Sequence, residues 1–357
     1  MVLSAPSTFR VIAIISTYNE EDIIVPVVNH LVKEGISVYV IDNWSTDRTY
    51  KLLNELSPSL FGLERFPEDG PSKTFDWGEI LKRKEMISRT FDADWFIHHD
   101  ADEIRNSPWP GVTLRDAIYL VDQQGYNAID FHLLNFYPID NDFQYGMDPV
   151  KHFEYFRYSE IVGNLLQIKA WKRLEKPHIV RLVYGGHAVE SSNRKIYPIK
   201  FILRHYPIRS QQHGDKKVFV ERIGRFNPTE KKEKGWHVQY DHIDSNHSFI
   251  TDPSTLIKFD ESVYIDLLMK QLLELSQSYQ QINADLMERD ELIQNLNNKI
   301  TEQEQTIQSL TANLTEQEQT IQSLEQEVLF YATSKSWRIT RPLRKFVKLA
   351  KRIIQTE

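Results

Sequence analysis

Residues 95–103 read Trp-Phe-Ile-His-His-Asp-Ala-Asp-Glu, and the fold follows from this stretch. Its apolar start, residues 95–97, has the composition of a strand buried inside a sheet. The run ends in two carboxylates, Asp100 and Asp102, where open α/β sheets bind ligands. Hard oxygen ligands suit Mg²⁺ or Mn²⁺, and such a cation would hold a diphosphate. An Asp-x-Asp alone also fits a solvated acidic turn, so its context decides.

The N-terminal region contains two further strands of the same kind. Val-Ile-Ala-Ile-Ile at 11–15 precedes the polar residues 16–22, and Val-Tyr-Val-Ile at 38–41 precedes the polar residues 42–47. The apolar stretch 23–32 between them predicts a helix. This β–α–β pattern is typical of a parallel sheet with right-handed crossovers. Three strand ends are therefore expected to face one crevice.

Three motifs resemble a known family in their order and spacing. They are Thr-Tyr-Asn-Glu-Glu at 17–21, Asp-x-x-Ser-x-Asp at 42–47 and Asp-x-Asp at 100–102. The family is the nucleotide-sugar-dependent glycosyltransferases of family 2, and the resemblance covers roughly residues 9–250. It implies a GT-A fold, an α/β Rossmann-like mixed sheet flanked by helices. It also implies a nucleotide diphosphate sugar as donor substrate and Mn²⁺ or Mg²⁺ as cofactor.

The resemblance assigns donor-binding roles to residues after the first two strands. Thr17 and Tyr18 would cradle the nucleoside, with Glu20 nearby at the start of the helix. Asp42 and Asn43 would accept hydrogen bonds from the base or the ribose. Family members commonly carry two acids at the latter positions, whereas this chain has Asp followed by Asn, so the identity of the base stays open.

The same resemblance gives candidates for the diphosphate and the metal. Asp100 and Asp102 would hold the cation, which neutralises the charge of the leaving nucleoside diphosphate. Arg83 could meet the diphosphate or be a solvated surface cation. Many metal-dependent relatives add a late histidine, and His187, after two glycines, is the first candidate. His205 is the second, and a buried histidine satisfied by backbone is the alternative for either.

A further carboxylate is needed if the transfer inverts the anomeric centre, because a general base must reach the acceptor hydroxyl. Family members often supply it from an x-Glu-Asp motif, which the second half of this chain lacks. Glu190 is our first prediction by position, and Glu154 is the second. Glu190 and Asp102 are thus the predicted catalytic residues.

A heptad pattern dominates residues 262–331. Apolar residues recur every seven positions from Ile265 to Val328, with a companion position three residues later. Thr301–Leu310 is repeated letter for letter as Thr315–Leu324, a shift of two heptads that preserves the seam. The pattern predicts a coiled coil that joins copies of the chain, with a dimer favoured and a trimer or tetramer possible.

The C-terminal segment, residues 332–357, is basic and amphipathic. Ser-Trp-Arg-Ile-Thr-x-Pro-Leu-Arg at 336–344 resembles the tails of bacterial surface-polysaccharide glycosyltransferases. Such a helix fits an anionic membrane surface, and the alternative is a helix that packs on a partner. Nucleic acid is not expected, because no aromatic-lined basic groove accompanies the charge. The apolar stripe comprises Ile339, Leu343, Phe346, Val347, Ala350, Ile353 and Ile354; the cations are Arg338, Arg341, Arg344, Lys345, Lys348, Lys351 and Arg352.

Composition and charge bound the organisation of the chain. The 357 residues contain no cysteine, which excludes disulfides and thiolate chemistry. The first ten residues lack the basic start and apolar core of a signal peptide. No apolar run reaches the length of about 18 residues that a membrane span needs. We therefore predict a cytoplasmic protein, peripheral at the inner face of the membrane. The predicted order is a GT-A domain at 1–250, a linker at 251–261, a coiled coil at 262–331 and a basic tail at 332–357.

These patterns predict a metal-dependent, inverting transferase that moves a hexosyl or related residue to a glycan or lipid-linked acceptor in bacterial surface-polysaccharide synthesis. One alternative is an inactive transferase-like domain that serves as a coiled-coil scaffold, against which the acids at 42, 100 and 102 argue. Another is a nucleotidyltransferase. That class would carry a glycine-rich basic loop after the first strand, and residues 17–22 contain neither glycine nor a basic residue.

Overall fold

The computed structural model describes residues 4–159, 165–173, 181–190, 193–222, 224–236, 238 and 241–354, without the side chains of 349–350 and 352–354. The chain forms two compact units, Met1–Leu275 and Ser276–Glu357. The predicted fold class is confirmed: a mixed α/β sheet is flanked by helices, and a long helix follows. The strands are β1 (Val11–Thr17), β2 (Ser37–Asp42), β3 (Gly62–Arg65), β4 (Trp95–Asp100), β5 (Glu103–Asn106), β6 (Ala128–Ile129), β7 (Phe131–Phe136), β8 (Tyr155–Tyr158), β9 (Ala170–Lys172), β10 (Arg181–Val183), β11 (Ala188–Glu190), β12 (Phe201–His205) and β13 (Ile257–Lys258). The helices are α1 (Ile24–Lys33), α2 (Thr49–Glu55), α3 (Trp77–Thr90), α4 (Leu114–Gln123), α5 (Pro149–His152), α6 (Gln211–Asp215), α7 (Pro228–Lys234), α8 (Glu261–Thr333), α9 (Lys335–Ile339) and α10 (Arg341–Ile354).

The main sheet has the strand order β3-β2-β1-β4-β9-β6. Strands β1 to β4 are parallel, and β9 is antiparallel to β4 and β6. Its central strands are apolar along their whole length because both faces are covered. Val11, Ala13 and Ile15 of β1 face one hydrophobic core, while Ile12 and Ile14 face the other. The parallel strands therefore end at one common edge, as the sequence predicted.

A second sheet has the strand order β13-β8-β7-β12-β5, and its strand β5 directly follows the Asp-x-Asp turn. Strand β5 begins at Glu103, directly after Asp102, and pairs antiparallel with β12. Glu103 is opposite His205 in that register. The pairing of β5 with β12 in this sheet thus places His205, from the later part of the chain, close to the end of β4. Strands β10 and β11 form a separate antiparallel pair.

A π-helical segment, Lys216–Arg222, continues directly from α6. Its residues Lys217 and Val218 are buried. Glu221 of this segment accepts a hydrogen bond of 2.7 Å from Asn19, in the loop after β1. Segments of π-helix inside α-helices occur frequently at functional sites, since the wider turn displaces side chains from their α-helical positions.

The first compact unit extends to Leu275, 25 residues beyond the predicted end of the GT-A domain at residue 250. The predicted linker, 251–261, contributes β13 to the second sheet by pairing with β8. The first four turns of α8 also pack on this unit, because Val263, Leu267 and Gln271 are buried there. These residues lie outside the heptad seam, which uses the adjacent face of the helix.

The second unit consists of the rest of α8 followed by α9 and α10. Its heptad residues are exposed in the single chain, including Ile293 at 55% and Ile300 at 52% exposure. Ser334 caps α9 by accepting a hydrogen bond of 3.2 Å from the Trp337 amide. Among the described helices, none is long and apolar enough to cross a membrane. Four residues of the predicted amphipathic tail have side chains outside the described part of the chain, namely Ala350, Arg352, Ile353 and Ile354.

Candidate active site

The ends of β1, β2 and β4 lie side by side at one edge of the main sheet. Thr17 is the register partner of Asp42, and Ser16 is the partner of Asp100. The amide of Asn43 donates to the Thr17 carbonyl at 2.9 Å. The Thr17 hydroxyl is buried and has no hydrogen-bond partner among the described residues. An unsatisfied buried hydroxyl at a strand end is a place where a ligand could bind.

Asp42 and Asn43, predicted to bind the nucleoside, begin the loop after β2. The Asp42 carboxylate is buried and accepts from the Ser45 amide at 3.2 Å, and its second contact is the Arg65 guanidinium at 3.3 Å. Burial raises the pKa of Asp42. Asn43 donates to the Phe66 carbonyl at 2.8 Å, which leaves its side-chain oxygen as an acceptor.

Arg225 occupies the space between these predicted donor-binding residues. Its guanidinium lies 3.3 Å from the centre of the Tyr18 ring. It also donates to the Asn43 carbonyl oxygen at 3.0 Å and to Asn43 Oδ1. Burial lowers the pKa of Arg225 to about 10, and its Nη1 has no partner among the described residues. The sequence analysis did not identify this residue, since no local pattern separates Arg225 from its neighbours.

Asp100, at the end of β4, is bound to a buried lysine. Its Oδ2 accepts from Lys169 Nζ at 2.9 Å, and the same ammonium donates to Glu103 at 2.7 Å. The other oxygen, Oδ1, lies 3.6 Å from His98 Nε2. Burial, the largest single cause, would raise the pKa of Asp100, but Lys169, His98 and Lys84 together outweigh it and hold that pKa well below its ordinary value. The carboxylate is therefore ionised, with one oxygen open to a further ligand.

Asp102 has the same arrangement with a second lysine. Its Oδ2 accepts from Lys217 Nζ at 3.0 Å, while Oδ1 lies 3.7 Å from His205 Nε2. Lys217 also contacts Glu20 at 3.3 Å, so it joins the loop after β1 to the Asp-x-Asp turn. Burial, the largest single cause, opposes ionisation of Asp102, but Lys217, His205 and Arg209 together outweigh it and hold the pKa of Asp102 below its ordinary value.

Glu20 belongs to an acidic group whose centre is an arginine. Glu20, Asp22 and His213 are the one group in the described residues whose three ligand atoms all lie within 4.8 Å of one another. Arg209 is fully buried and donates to all three, at 2.5 Å to Glu20, 2.7 Å to Asp22 and 2.8 Å to His213. The guanidinium thus satisfies this group, and the Glu20 carboxylate lies among the cations Arg209, Lys217 and Arg222.

The two predicted late histidines have different surroundings. His187 Nδ1 is 3.0 Å from Gln167 Nε2, and burial lowers the pKa of His187 to about 4. His205 Nδ1 lies 2.9 Å from Asn135 Oδ1, and His205 Nε2 faces Asp102. Of these two late histidines, His205 is the one whose ring lies next to an Asp-x-Asp carboxylate, at 3.7 Å from Asp102. One oxygen from each aspartate and an imidazole nitrogen are a donor set that suits Mn²⁺ or Mg²⁺.

The remaining predicted residues lie apart from these contacts. Arg83 forms a two-point ion pair with Glu64, at 2.8 and 2.6 Å, so a diphosphate would have to compete with that carboxylate. Glu190 is exposed at the end of β11. Glu154 forms an ion pair of 3.2 Å with Lys258. Sequence reasoning missed the cations that hold the acidic residues together, Lys169, Lys217 and Arg209.

Comparison with known proteins agrees with the position of this site. Residues 12–104 match the family model described as Glycosyl transferase family 2. This match begins in β1 and ends just after Asp102, so it contains all three strand ends. No curated protein sequence matches the chain.

Solved structures give weaker likenesses. S. aureus TarS matches with 20% identity over 46% of this chain and 28% of that one, at a TM-score of 0.29. TarS residues 1–349 match with 15% identity over 60% of this chain and 64% of that one, at a TM-score of 0.32. A 4-diphosphocytidyl-2C-methyl-D-erythritol synthase from Anaerococcus prevotii matches with 9% identity over 46% of this chain and 72% of that one, at a TM-score of 0.24. The chain thus spans less than two thirds of either TarS chain.

The matched segment and the mixed α/β sheet agree on one assignment. The strand ends that carry Thr17, Asp42 and Asp100 fall inside the matched residues 12–104. Residues 12–104 therefore resemble the family 2 glycosyltransferases, and they lie in a mixed α/β sheet of the GT-A type.

Proposed function

We propose that the protein transfers a sugar from a nucleotide diphosphate sugar to a glycan or lipid-linked acceptor, with inversion and with the help of a divalent metal, in bacterial surface-polysaccharide synthesis. The observation that carries this proposal is the shared edge of β1, β2 and β4, where Thr17 pairs with Asp42 and the neighbouring Ser16 pairs with Asp100. Carboxyl ends of parallel strands form the ligand crevice of open α/β sheets.

The nucleoside would bind between the first two strand ends. The Thr17 hydroxyl supplies an unpaired polar group, and Asp42 supplies a buried carboxylate for a ribose or base N–H. Arg225, held against Tyr18 and Asn43, brings a donor with a free Nη1 among the described residues. The base would therefore meet both acceptors and donors, as recognition of a carbonyl-bearing ring requires.

Asp100, Asp102 and His205 would hold the metal through the atoms that their lysine and asparagine contacts leave open. When bound, the cation would neutralise charge that builds on the leaving diphosphate. We prefer His205 to His187 because its Nε2 already lies 3.7 Å from Asp102, whereas His187 contacts Gln167. The fixed carboxylates need little reorganisation during the reaction, which favours catalysis.

Glu190 would act as the general base toward the acceptor hydroxyl. Its carboxylate is exposed and has no ion-pair partner among the described residues. Glu154, the other candidate, is engaged with Lys258. An exposed carboxylate that is not engaged in an ion pair can approach the acceptor hydroxyl, which supports Glu190 as the proton acceptor.

The C-terminal unit would assemble and anchor the enzyme. The exposed heptad seam of α8 fits a second copy of the chain, as a dimer, because such an apolar stripe is unfavourable in water. The tail α9–α10 exposes Ile339, Leu343 and Phe346 beside its cations, which fits an anionic membrane surface. A dimer would present two tails to one surface and bind it more tightly than either alone.

Donor hydrolysis tests the proposal directly. Purified protein with Mn²⁺ is incubated with a panel of UDP-, GDP-, CDP- and dTDP-sugars, and nucleoside diphosphate release and thermal stabilisation are measured. We expect one nucleotide class to be hydrolysed and to stabilise the fold, with loss of release in the Asp102→Asn variant. Absence of both effects across the panel would favour the scaffold alternative, and release of pyrophosphate from a nucleoside triphosphate would favour a nucleotidyltransferase.

A further inference from the structure

The acidic residues of the site are matched by buried cations from other parts of the chain. The Lys169 side chain is 3% exposed and the Lys217 side chain 5% exposed, and each spans two carboxylates. Ion pairs join five carboxylates to five cationic side chains. The carboxylates are Glu20, Asp22, Asp100, Asp102 and Glu103, and the cations are Arg105, Lys169, Arg209, Lys217 and Arg222.

Such a balance changes how the site would meet a free divalent cation. Carboxylate clusters attract metal ions mainly through their net negative charge, and this cluster has little net charge left. The ammonium groups of Lys169 and Lys217 would also repel a cation that approaches the open oxygens of Asp100 and Asp102. The geometry still leaves these oxygens available, since both lysines contact the Oδ2 atoms. The donor atoms therefore suit a metal ion, while the local positive charge opposes the binding of that ion in the absence of an anionic ligand.

We propose that Lys169 and Lys217 are resident counter-ions that make metal binding at Asp100 and Asp102 conditional on a bound diphosphate. A diphosphate carries the negative charge that the cluster lacks, so metal and nucleotide would bind as a pair. The lysines are positioning residues in this role: they hold the carboxylates through Oδ2 and set the charge of the site. The inference rests on the proposed function, because it concerns the same metal and donor.

Lys217 makes the arrangement depend on the fold around the site. It lies in the π-helical segment Lys216–Arg222 and reaches both Glu20, after β1, and Asp102, after β4. Its ammonium also donates to the Pro207 carbonyl at 2.9 Å, which fixes its position. Lys169 directly precedes β9, and its backbone carbonyl accepts a hydrogen bond of 2.8 Å from the His98 amide. Neither cation is a mobile surface side chain.

Mn²⁺ binding to the full chain tests the inference without an activity assay. Free Mn²⁺ is followed by electron paramagnetic resonance in titrations without nucleotide and with UDP, GDP, CDP or dTDP. We expect weak binding alone and, with one of these diphosphates, binding tighter by on the order of 100-fold. Lys169→Met should strengthen binding without nucleotide by on the order of 10- to 100-fold, since it removes one nearby positive charge. Lys169→Arg keeps the charge and should behave like the wild type.

Lys82→Met is the matched control, because Lys82 is exposed and its removal changes the net charge of the protein by the same amount. Tight Mn²⁺ binding by the wild type without nucleotide would overturn the inference and leave the proposed function intact. An unchanged affinity in folded Lys169→Met protein would overturn it as well. Absence of Mn²⁺ binding with every diphosphate would remove the metal from the proposed function, and the inference with it. If Lys169→Met does not fold, the wild-type titrations still decide the outcome.

Discussion

The Arg204 guanidinium donates a hydrogen bond of 2.9 Å to the Tyr264 hydroxyl, and this contact joins the long helix α8 to strand β12. Arg204 precedes His205, which faces Asp102. The same guanidinium lies 4.0 Å from the centre of the Phe259 ring. Two turns further along α8, the Gln271 side chain accepts a hydrogen bond from the backbone amide of Lys200, just before β12. The start of α8 therefore supports the strand that carries His205, and residues 261–275 belong to the catalytic unit.

Truncation should reveal this support. A chain ending at Leu275 should be monomeric and keep the stability of the catalytic unit, whereas one ending at Asp260 should lose about 3–6 kcal/mol. The loss follows from removing the buried side chains Val263 and Leu267, whose burial contributes about 1.5–3 kcal/mol each. Urea unfolding and light scattering measure the two effects. Equal stability of the two truncated chains would contradict a structural role for residues 261–275.

Asp102→Asn should lower turnover on the order of 100-fold or more, because the variant loses the charge that faces the metal and the leaving diphosphate. The fold should persist, since Lys217 keeps its contact with Glu20 and with the Pro207 carbonyl. The matched control is Asp92→Asn, an exposed carboxylate that should leave turnover unchanged. Donor hydrolysis with Mn²⁺ is the assay, and full activity of Asp102→Asn would remove its assignment to the site.

His132 should make stability depend on pH. Burial, followed by the cations Lys200 and Lys270, lowers the pKa of His132 to about 4. Because an unfolded histidine titrates near 6.5, the unfolded state binds more protons between these values, and stability falls as the pH drops from 6.5 through 4. The loss should approach about 3 kcal/mol, at about 1.4 kcal/mol per pKa unit.

The His132→Gln variant isolates this contribution, because glutamine does not titrate. Urea unfolding at pH 7, 5.5 and 4.5 should show the gap between variant and wild type shifting in favour of the variant as the pH falls. Parallel stability curves for the two proteins would mean that His132 titrates normally in the folded state.

Assembly should depend on the heptad seam of the second unit. Ile300→Asp places a charge in the predicted interface and should weaken self-association on the order of 100-fold, since burying unpaired charges is costly. Asn298→Asp adds the same charge two residues earlier, outside the seam, and serves as its control. Light scattering at micromolar concentration is expected to give a dimer for the wild type and the control and a monomer for Ile300→Asp. A monomeric wild type would refute the coiled-coil assignment.

Membrane binding should require both the charge and the apolar stripe of the tail. Phe346 is 77% exposed, and Phe346→Glu should abolish most cosedimentation with anionic vesicles at low salt. Met86→Glu, an equivalent change at an exposed position of the catalytic unit, should bind like the wild type. Salt should weaken wild-type binding, because the cations contribute about 1 kcal/mol each near the surface. If truncation after Tyr331 does not reduce binding, the tail is not the anchor.

The local sequence was sufficient to predict the main sheet and the strand ends. Apolar runs such as 11–15 and 95–97 form buried parallel strands because both faces need covering, and the polar residues after them must leave the core. Thr17, Asp42 and Asp100 were therefore predictable as neighbours at one edge. Seven-residue periodicity likewise predicts a long helix with one apolar face, and α8 runs from Glu261 to Thr333.

Tertiary structure decided which side chains complete the site. Lys169 and Lys217 lie in segments without periodicity, and nothing local distinguishes them from the solvated lysines that most sequences carry. Their role arises from ion pairs to Asp100 and Asp102 across 69 and 115 residues of chain. Likewise, heptad spacing predicts which face of α8 is apolar but not that Val263 and Leu267, outside the seam, pack on the first unit. Local pattern specifies which surfaces must be buried, whereas the partner that buries each one, or neutralises it, depends on contacts between residues distant in sequence.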